Sequence, residues 1–298
     1  MSLDTLASNR PCSLKDLLAR MEGRAAKLGT ADRKEDQQVQ LFLPGLEEFM
    51  RAMPNHIARS SLFAPVARGR KKLHKDIVLV SRADAVIKFS GEQLDEAQAD
   101  VWMQAMHEAG RASLGEPVTI NRAAFLQAIG RDTGRWQYEW LHRTMHALTF
   151  AMLVIEITKG GKHKLSIGHT RALHMIEAFD YDPQREEYTL RIDPRWRGMY
   201  ANREFALIDW EKRQRIKQGQ DMAKALQRLA ATSADRVQRH ALDWLREKMQ
   251  YSSPMRKFKE SLKAAMHELE RVGVIAGSRI ELSSKGKEQA VWVRVVDK

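Results

Sequence analysis

The spacing of hydrophobic positions changes several times along this chain, and each change marks an element. Residues 77–81 (IVLVS) and 85–90 (AVIKFS) alternate with period two, carry β-branched side chains and are separated only by RAD, which predicts a hairpin. Residues 91–109 return to helical spacing. A short helix is expected over 121–130, closed by Gly130, and the turn RDT leads into a longer helix over 134–151. Two strands about a Lys-Gly-Gly-Lys turn follow at 152–168, and YTLRID makes another strand at 188–193.

The pattern then recurs. A long basic helix is expected over 206–232, a second helix over 236–250 and a third over 252–273. The strands 274–282 and 289–296 close the series about a turn at SSKGK. The order helix, turn, helix, hairpin is the winged form of the helix-turn-helix. The expected fold is therefore α+β: winged-helix domains at 45–200 and 201–298 joined by a long, stiff helix. Ahead of them, residues 1–44 read as a mostly disordered segment. It holds one short amphipathic helix (13–29, with Leu17, Leu18 and Met21 on one face) and a polar linker to about residue 37. LEEFMRAMPNHIARSSLFAP begins the ordered body.

Two helices have faces worth reading closely. In 253–272, Ser253 is the expected N-cap and Pro254 the first helical residue. Phe258, Leu262, Leu269 and Val272, flanked by Met266, form the apolar stripe. Ser253, Arg256, Lys263 and His267 line the opposite face, with Lys257 and Lys259 flanking its N-terminal end. In 134–151, Leu141, Met145 and Leu148 face inward beside Tyr138, while Arg135, His142, Arg143 and His146 face outward. Thr133 is the expected cap, and Trp136 and Trp140 are expected to pack against the wing or the next domain. A helix that reads duplex DNA needs cationic flanks and an N-terminus open to base edges and phosphates. A merely solvated face is the plain alternative.

Charge strengthens the first reading. The 298 residues hold 50 Lys+Arg against 38 Asp+Glu, a formal +12, and such a surface favours polyanions. A third basic element, residues 58–75, carries Arg59, Arg68, Arg70, Lys71, Lys72 and Lys75 with no acidic residue, and reads as a phosphate-tracking loop. Cys12 is the only cysteine, which excludes a disulfide framework and a thiolate zinc site. No apolar run has the length of a membrane span, and MSLDTLASNRPC is too polar for a signal peptide, so a soluble cytoplasmic protein is expected. The sequence holds no phosphate-binding G-x-x-x-x-G-K-[ST], no H-E-x-x-H and no His pair of a metal-dependent nicking site. No catalysis, metal or cofactor is expected.

At MPNHIARSSLFAPVARGRKKLHK, then IVLVSRADAVIKFSGEQLDEAQADVWMQAMHEA, then GRDTGRWQYEWLHR, the chain resembles the TrfA family of plasmid replication initiators. The likeness runs over roughly 45–298; its N-terminal blocks are specific and the last third agrees mainly in pattern. It implies a non-enzymatic protein that binds repeated sequences (iterons) in double-stranded origin DNA through tandem winged helices. It further implies opening of adjacent AT-rich DNA with the host initiator and replicative helicase, and a homodimer as an inactive form.

The likeness also gives a role to QVQLF, residues 38–42. Bacterial sliding-clamp ligands commonly read Q-x-x-L-F, and here Gln38, Leu41 and Phe42 fill those positions. A clamp groove would bury Leu41 and Phe42, each contributing about 1.5–3 kcal/mol, and hydrogen-bond Gln38. The other reading makes them the first edge of the folded body. A winged-helix transcriptional repressor is the competing function; a nicking enzyme lacks its His–metal constellation.

Overall fold

Met50–Pro54 (β1) opens the part of the chain that the computed structural model describes, residues 49–65, 71–159, 162–201 and 204–296. All of these fall in one contact unit, Pro44–Lys298. The expectations for residues 1–44, Gln38, Leu41 and Phe42 among them, lie outside the described residues, as do those for Arg68 and Arg70.

After β1 come Asn55–Arg59 (α1), Phe63–Ala64 (β2), the hairpin Leu73–Val78 (β3) and Ala85–Glu92 (β4), and Leu94–Asp95 (β5). Glu96–Ala109 (α2) starts on a capping box: the Asp95 carboxylate accepts from the Gln98 backbone N–H, and the Gln98 side chain accepts from Asp95 N–H. Next are Val118–Asn121 (β6), Arg122–Ala128 (α3), Arg135–Phe150 (α4), and the hairpin Met152–Lys159 (β7) and Lys162–Ile167 (β8). Leu173–His174 (β9), Ala178–Asp182 (β10), Glu187–Arg191 (β11) and Arg197–Tyr200 (α5) lead to Phe205–Asp209 (β12). The last third holds Trp210–Arg215 (α6), Asp221–Ala231 (α7), Val237–Ala241 (β13), Leu242–Lys248 (α8), Met255–Arg271 (α9), Ile275–Leu282 (β14) and Glu288–Arg294 (β15).

The fold is mixed α/β. The hairpin β7–β8 extends β3–β4 into one antiparallel sheet, with β9 pairing β7; β10, β11 and β6 make another, and β13, β15 and β14 a third. Trp102 and Trp196 lie at the centre of the first core, ring centroids 5.1 Å apart. Their indole N–H groups donate to the carbonyls of Met175 (3.1 Å) and His174 (2.9 Å). Phe258, Leu262, Leu269 and Trp292 centre a second core.

Several expected elements are different in the structure. The long helix over 206–232 does not form. Phe205–Asp209 pairs antiparallel with β1, burying Ala206 and Ile208. Asp209 then caps α6 by accepting from Lys212 N–H (2.9 Å), and Gly219, at φ +82°, sits in the break before α7. Helical spacing in the sequence runs on through a strand, a short helix and a loop. Likewise 236–250 begins as a strand, because Val237–Ala241 pairs with β15 and buries Gln238 under the Trp292 N–H (3.0 Å). Tertiary pairing overrides local helix propensity in both cases. Helix 91–109 starts five residues late, at its Asp95 cap. Thr133 and Ser253 do not cap: Gly134 and Pro254 hold those positions without a side-chain bond. The Ser253 carbonyl instead accepts from Arg246 Nη2 (3.0 Å).

The repetition itself is present, and in register. Strand, short helix, turn, long helix and hairpin follow α2 in one copy and α7 in the other. Asn121 and Ala241 precede the short helices, and Arg135 and Met255 open the long ones. The turns match bond for bond: Arg131 N–H donates to Leu126 O (2.9 Å) as Tyr251 N–H does to Arg246 O (3.0 Å). Gly130 and Gln250, both at positive φ, share the left-handed position between. The copies differ in sheet pairing, since β13 joins its own hairpin while β6 pairs with β11.

Buried charge ties the copies together. The Glu96 carboxylate accepts from Arg228 Nε (3.1 Å) and Nη2 and from Arg213 Nη2 (3.1 Å). Asp100 accepts from Arg213 Nε and from Lys224 Nζ (2.6 Å). Burial opposes ionisation of Asp100, but Arg213 and Lys224 outweigh it and hold its carboxyl below the usual range.

Candidate nucleic-acid interface

α9 presents most of the face expected of it. Phe258, Leu262, Met266, Leu269 and Val272 are buried, while Arg256, Lys257, Lys263 and His267 are exposed. With no side chain capping it, the helix offers its first backbone N–H groups and positive dipole end beside Arg256 and Lys257. Two residues are committed elsewhere. Lys259, half-buried, reaches Glu288 of β15 at 2.6 Å, and His267 Nδ1 lies 3.3 Å from Glu270.

α4 is more complicated. Leu141, Met145 and Leu148 are buried as expected, and Arg135, Arg143 and His146 are exposed. Arg135 Nε donates to Glu139 at 2.9 Å, an exposed pair of little energetic consequence. His142 does not stand free on the outward face. Its ring stacks on Tyr188 and meets Phe179 and Tyr181 edge-on, with Nδ1 3.3 Å from the Tyr188 hydroxyl. Burial, then the neighbouring His146, lowers its pKa. Trp140 packs as a cation–π partner, 3.5 Å from the Arg131 guanidinium, but Trp136 is 78% exposed and packs on neither a wing nor the other copy as expected.

The basic run 58–75 is split. Arg59 is half-buried and donates one N–H to the Thr232 carbonyl, between the copies. Lys71 is held by Asp95 and Gln98, both at 2.7 Å. Lys72 and Lys75 are exposed.

Three further features lie outside the sequence expectations. Lys285 and Lys287 are exposed in the β14–β15 turn, and the SSKGK turn was their visible signal. A groove of about 680 Å³ runs beside α4, lined by Tyr138, Tyr181, Tyr188 and Arg122, with Arg122 3.9 Å over the Tyr138 ring. Its aromatic residues are scattered along the chain, so no local pattern announced it. Lys248 is fully buried, and its ammonium has no hydrogen-bond partner. Burial, then the charge of Arg228, pushes its pKa down to about 7. Among the described residues no cluster of three or more His, Cys, Asp or Glu could hold a metal ion, and no helix is long and apolar enough to cross a membrane.

Such a surface can bind phosphates on two helices and at a hairpin turn. A family model described as TrfA protein matches residues 19–281. The plasmid replication initiator protein TrfA of Escherichia coli is 24% identical over 230 residues, which cover 72% of this chain and 58% of that protein. A crystal structure of domains 2 and 3 of RctB superposes with a TM-score of 0.51 at 11% identity, covering 82% of this chain and 99% of that one. A second RctB structure of those domains gives 0.44 at 12% identity, over 80% and 96%. The first superposition shows a shared fold.

Proposed function

This chain belongs to the TrfA protein family, and from that premise we propose that it is a plasmid replication initiator. It binds iterons in double-stranded origin DNA through two winged helices, within residues 45–200 and 201–298, and promotes opening of the adjacent duplex. It works without catalysis, in the cytoplasm, together with the host initiator and replicative helicase. Gln38, Leu41 and Phe42 dock in the host sliding clamp.

One observation carries the duplex reading. The two copies are in register, and at matching places on their long helices each exposes a cation, Arg143 on α4 and Lys263 on α9. With Arg256, Lys257, Lys72 and Lys75 also exposed on a chain of formal charge +12, the surface suits a polyanion. Fluorescence titration at one fixed salt concentration tests it, comparing an origin-repeat duplex with a random one. Arg256→Ala and Lys263→Ala should each weaken origin binding by about 1–3 kcal/mol and random binding less. Equal losses on both duplexes would remove the base-reading role.

A further inference from the structure

We propose that the ionic cluster around Glu96 fixes the separation and angle of α4 and α9, so that one protein molecule accepts two blocks of duplex at a single spacing only. This rests on the duplex reading above. Glu96 and Asp100 belong to α2 of the first copy; Arg213, Lys224 and Arg228 belong to α6 and α7 at the second. Glu96, Arg213 and Arg228 are at most 1% exposed. Arg228 donates further to the Phe63 carbonyl at 3.0 Å, and Arg213 to the Lys224 carbonyl at 3.1 Å.

Such a cluster has one arrangement that satisfies its charges. A slide of α6 and α7 along α2 by one residue would separate two buried carboxylates from three cations, at a cost apolar packing does not impose. Well-packed apolar residues could supply equal stability there. What the ions add is direction. Three further ties point the same way: β1 pairs with β12, Arg59 donates to Thr232 O, and Gln250, beside the turn into α9, donates to Ser61 O (2.9 Å) and accepts from Gln93. The connection is a set of fixed contacts, where the sequence suggested a single stiff helix. Glu96, Asp100, Arg213 and Arg228 thus act as positioning residues for a surface none of them touches.

Insertion of one base pair between two bound blocks moves the second by about 3.4 Å and turns it about a tenth of a helical turn. A locked protein cannot follow. The full chain, with Cys12→Ser, carries spin labels at Gln127→Cys and Glu247→Cys, matching exposed positions outside the basic faces. Unlabelled protein is used to select from a pool of random duplexes about three helical turns long. Wild type should show one narrow label–label distance and select two blocks at one spacing. It should lose roughly tenfold in affinity per inserted base pair. Glu96→Gln/Arg228→Met, which removes one charge of each sign, should broaden the distance, return several spacings and lose about threefold or less per insertion. Lys224→Met, at a less buried partner, should show the same change in smaller degree, and decides the matter should the double variant not fold. A broad wild-type distance, or variants as strict about spacing as wild type, would overturn the proposal. A narrow distance with no selected sequence would overturn the duplex reading beneath it.

Discussion

α4 and α9 occupy matching places in their copies, yet their surroundings are unlike. Tyr138, His142 and His146 of α4 correspond to Phe258, Leu262 and Met266 of α9. In α9 those positions are the core stripe. In α4 the same stripe is aromatic and half polar, and Phe179, Tyr181 and Tyr188 of β10 and β11 cover part of it. α4 buries Leu141, Met145 and Leu148 instead, about one residue around the helix. A repeated backbone therefore does not carry side-chain roles with it. The matched cations Arg143 and Lys263 stay exposed in both settings, whereas His142 does not.

The largest expected effect tests that contrast directly. Leu262→Ala removes a side chain with no exposure from a closed core and should cost about 2–5 kcal/mol in urea unfolding. His142→Ala, at the matching position, loses aromatic contacts worth about 0.5–1.5 kcal/mol in a half-open niche. Equal costs would mean that α4 buries the same stripe as α9, and the comparison would fail.

The short helices sharpen it next. α3 ends at Ala128 and α8 at Lys248, so the second copy carries a buried ammonium where the first has a methyl group. Lys248 has a folded pKa of about 7, below its unfolded value of about 10.4. Between these values the unfolded chain binds more protons, so this residue lets stability rise with pH from about 7 to about 10. Below that window both states are charged and the burial penalty is complete. Lys248→Met should therefore raise the melting temperature, by several kcal/mol at most in stability, with the gap widest near neutral pH and shrinking as the solution becomes alkaline. A gap independent of pH would show that the ammonium finds a partner.

What could be read from the sequence follows from how local each signal was. The strand β4, the helices α2, α4 and α9 and the closing hairpin came from period and turn residues within a few positions, whereas β3 runs over Leu73–Val78 and shares only Ile77 and Val78 with the strand expected at 77–81. The strands β1, β12 and β13 did not, because each exists only through a partner far along the chain: Arg51 faces Ile208, and Gln238 faces Trp292. The candidate site divides the same way. Arg256 and Lys263 were legible as the polar face opposite Phe258 and Leu262. The partners of Arg59 at the Thr232 carbonyl, of Lys71 at Asp95 and of Lys259 at Glu288 were not, since a basic residue looks alike in sequence whether or not an acceptor waits across the fold.

The smallest effect lies in the turns, where Gly130 and Gln250 both hold left-handed backbone at φ +70° and +52°. Gly130→Ala meets only ordinary contact with Gln214, at 3.6 Å or more, so its cost is conformational, about 1 kcal/mol. Glycine at 250 would relieve a comparable strain. It would also delete the amide that donates to Ser61 O and accepts from Gln93, each bond contributing about 0.5–1.5 kcal/mol, and would leave buried Gln93 without that partner. The two effects oppose, and the lost bonds outweigh the relief. Gln250→Gly should thus melt at or slightly below wild type, whereas a glycine at an unbridged left-handed site stabilises. A rise equal to the full strain relief would show that Gln250 ties nothing, and that the second copy keeps a strained turn which the first copy, with Gly130, avoids.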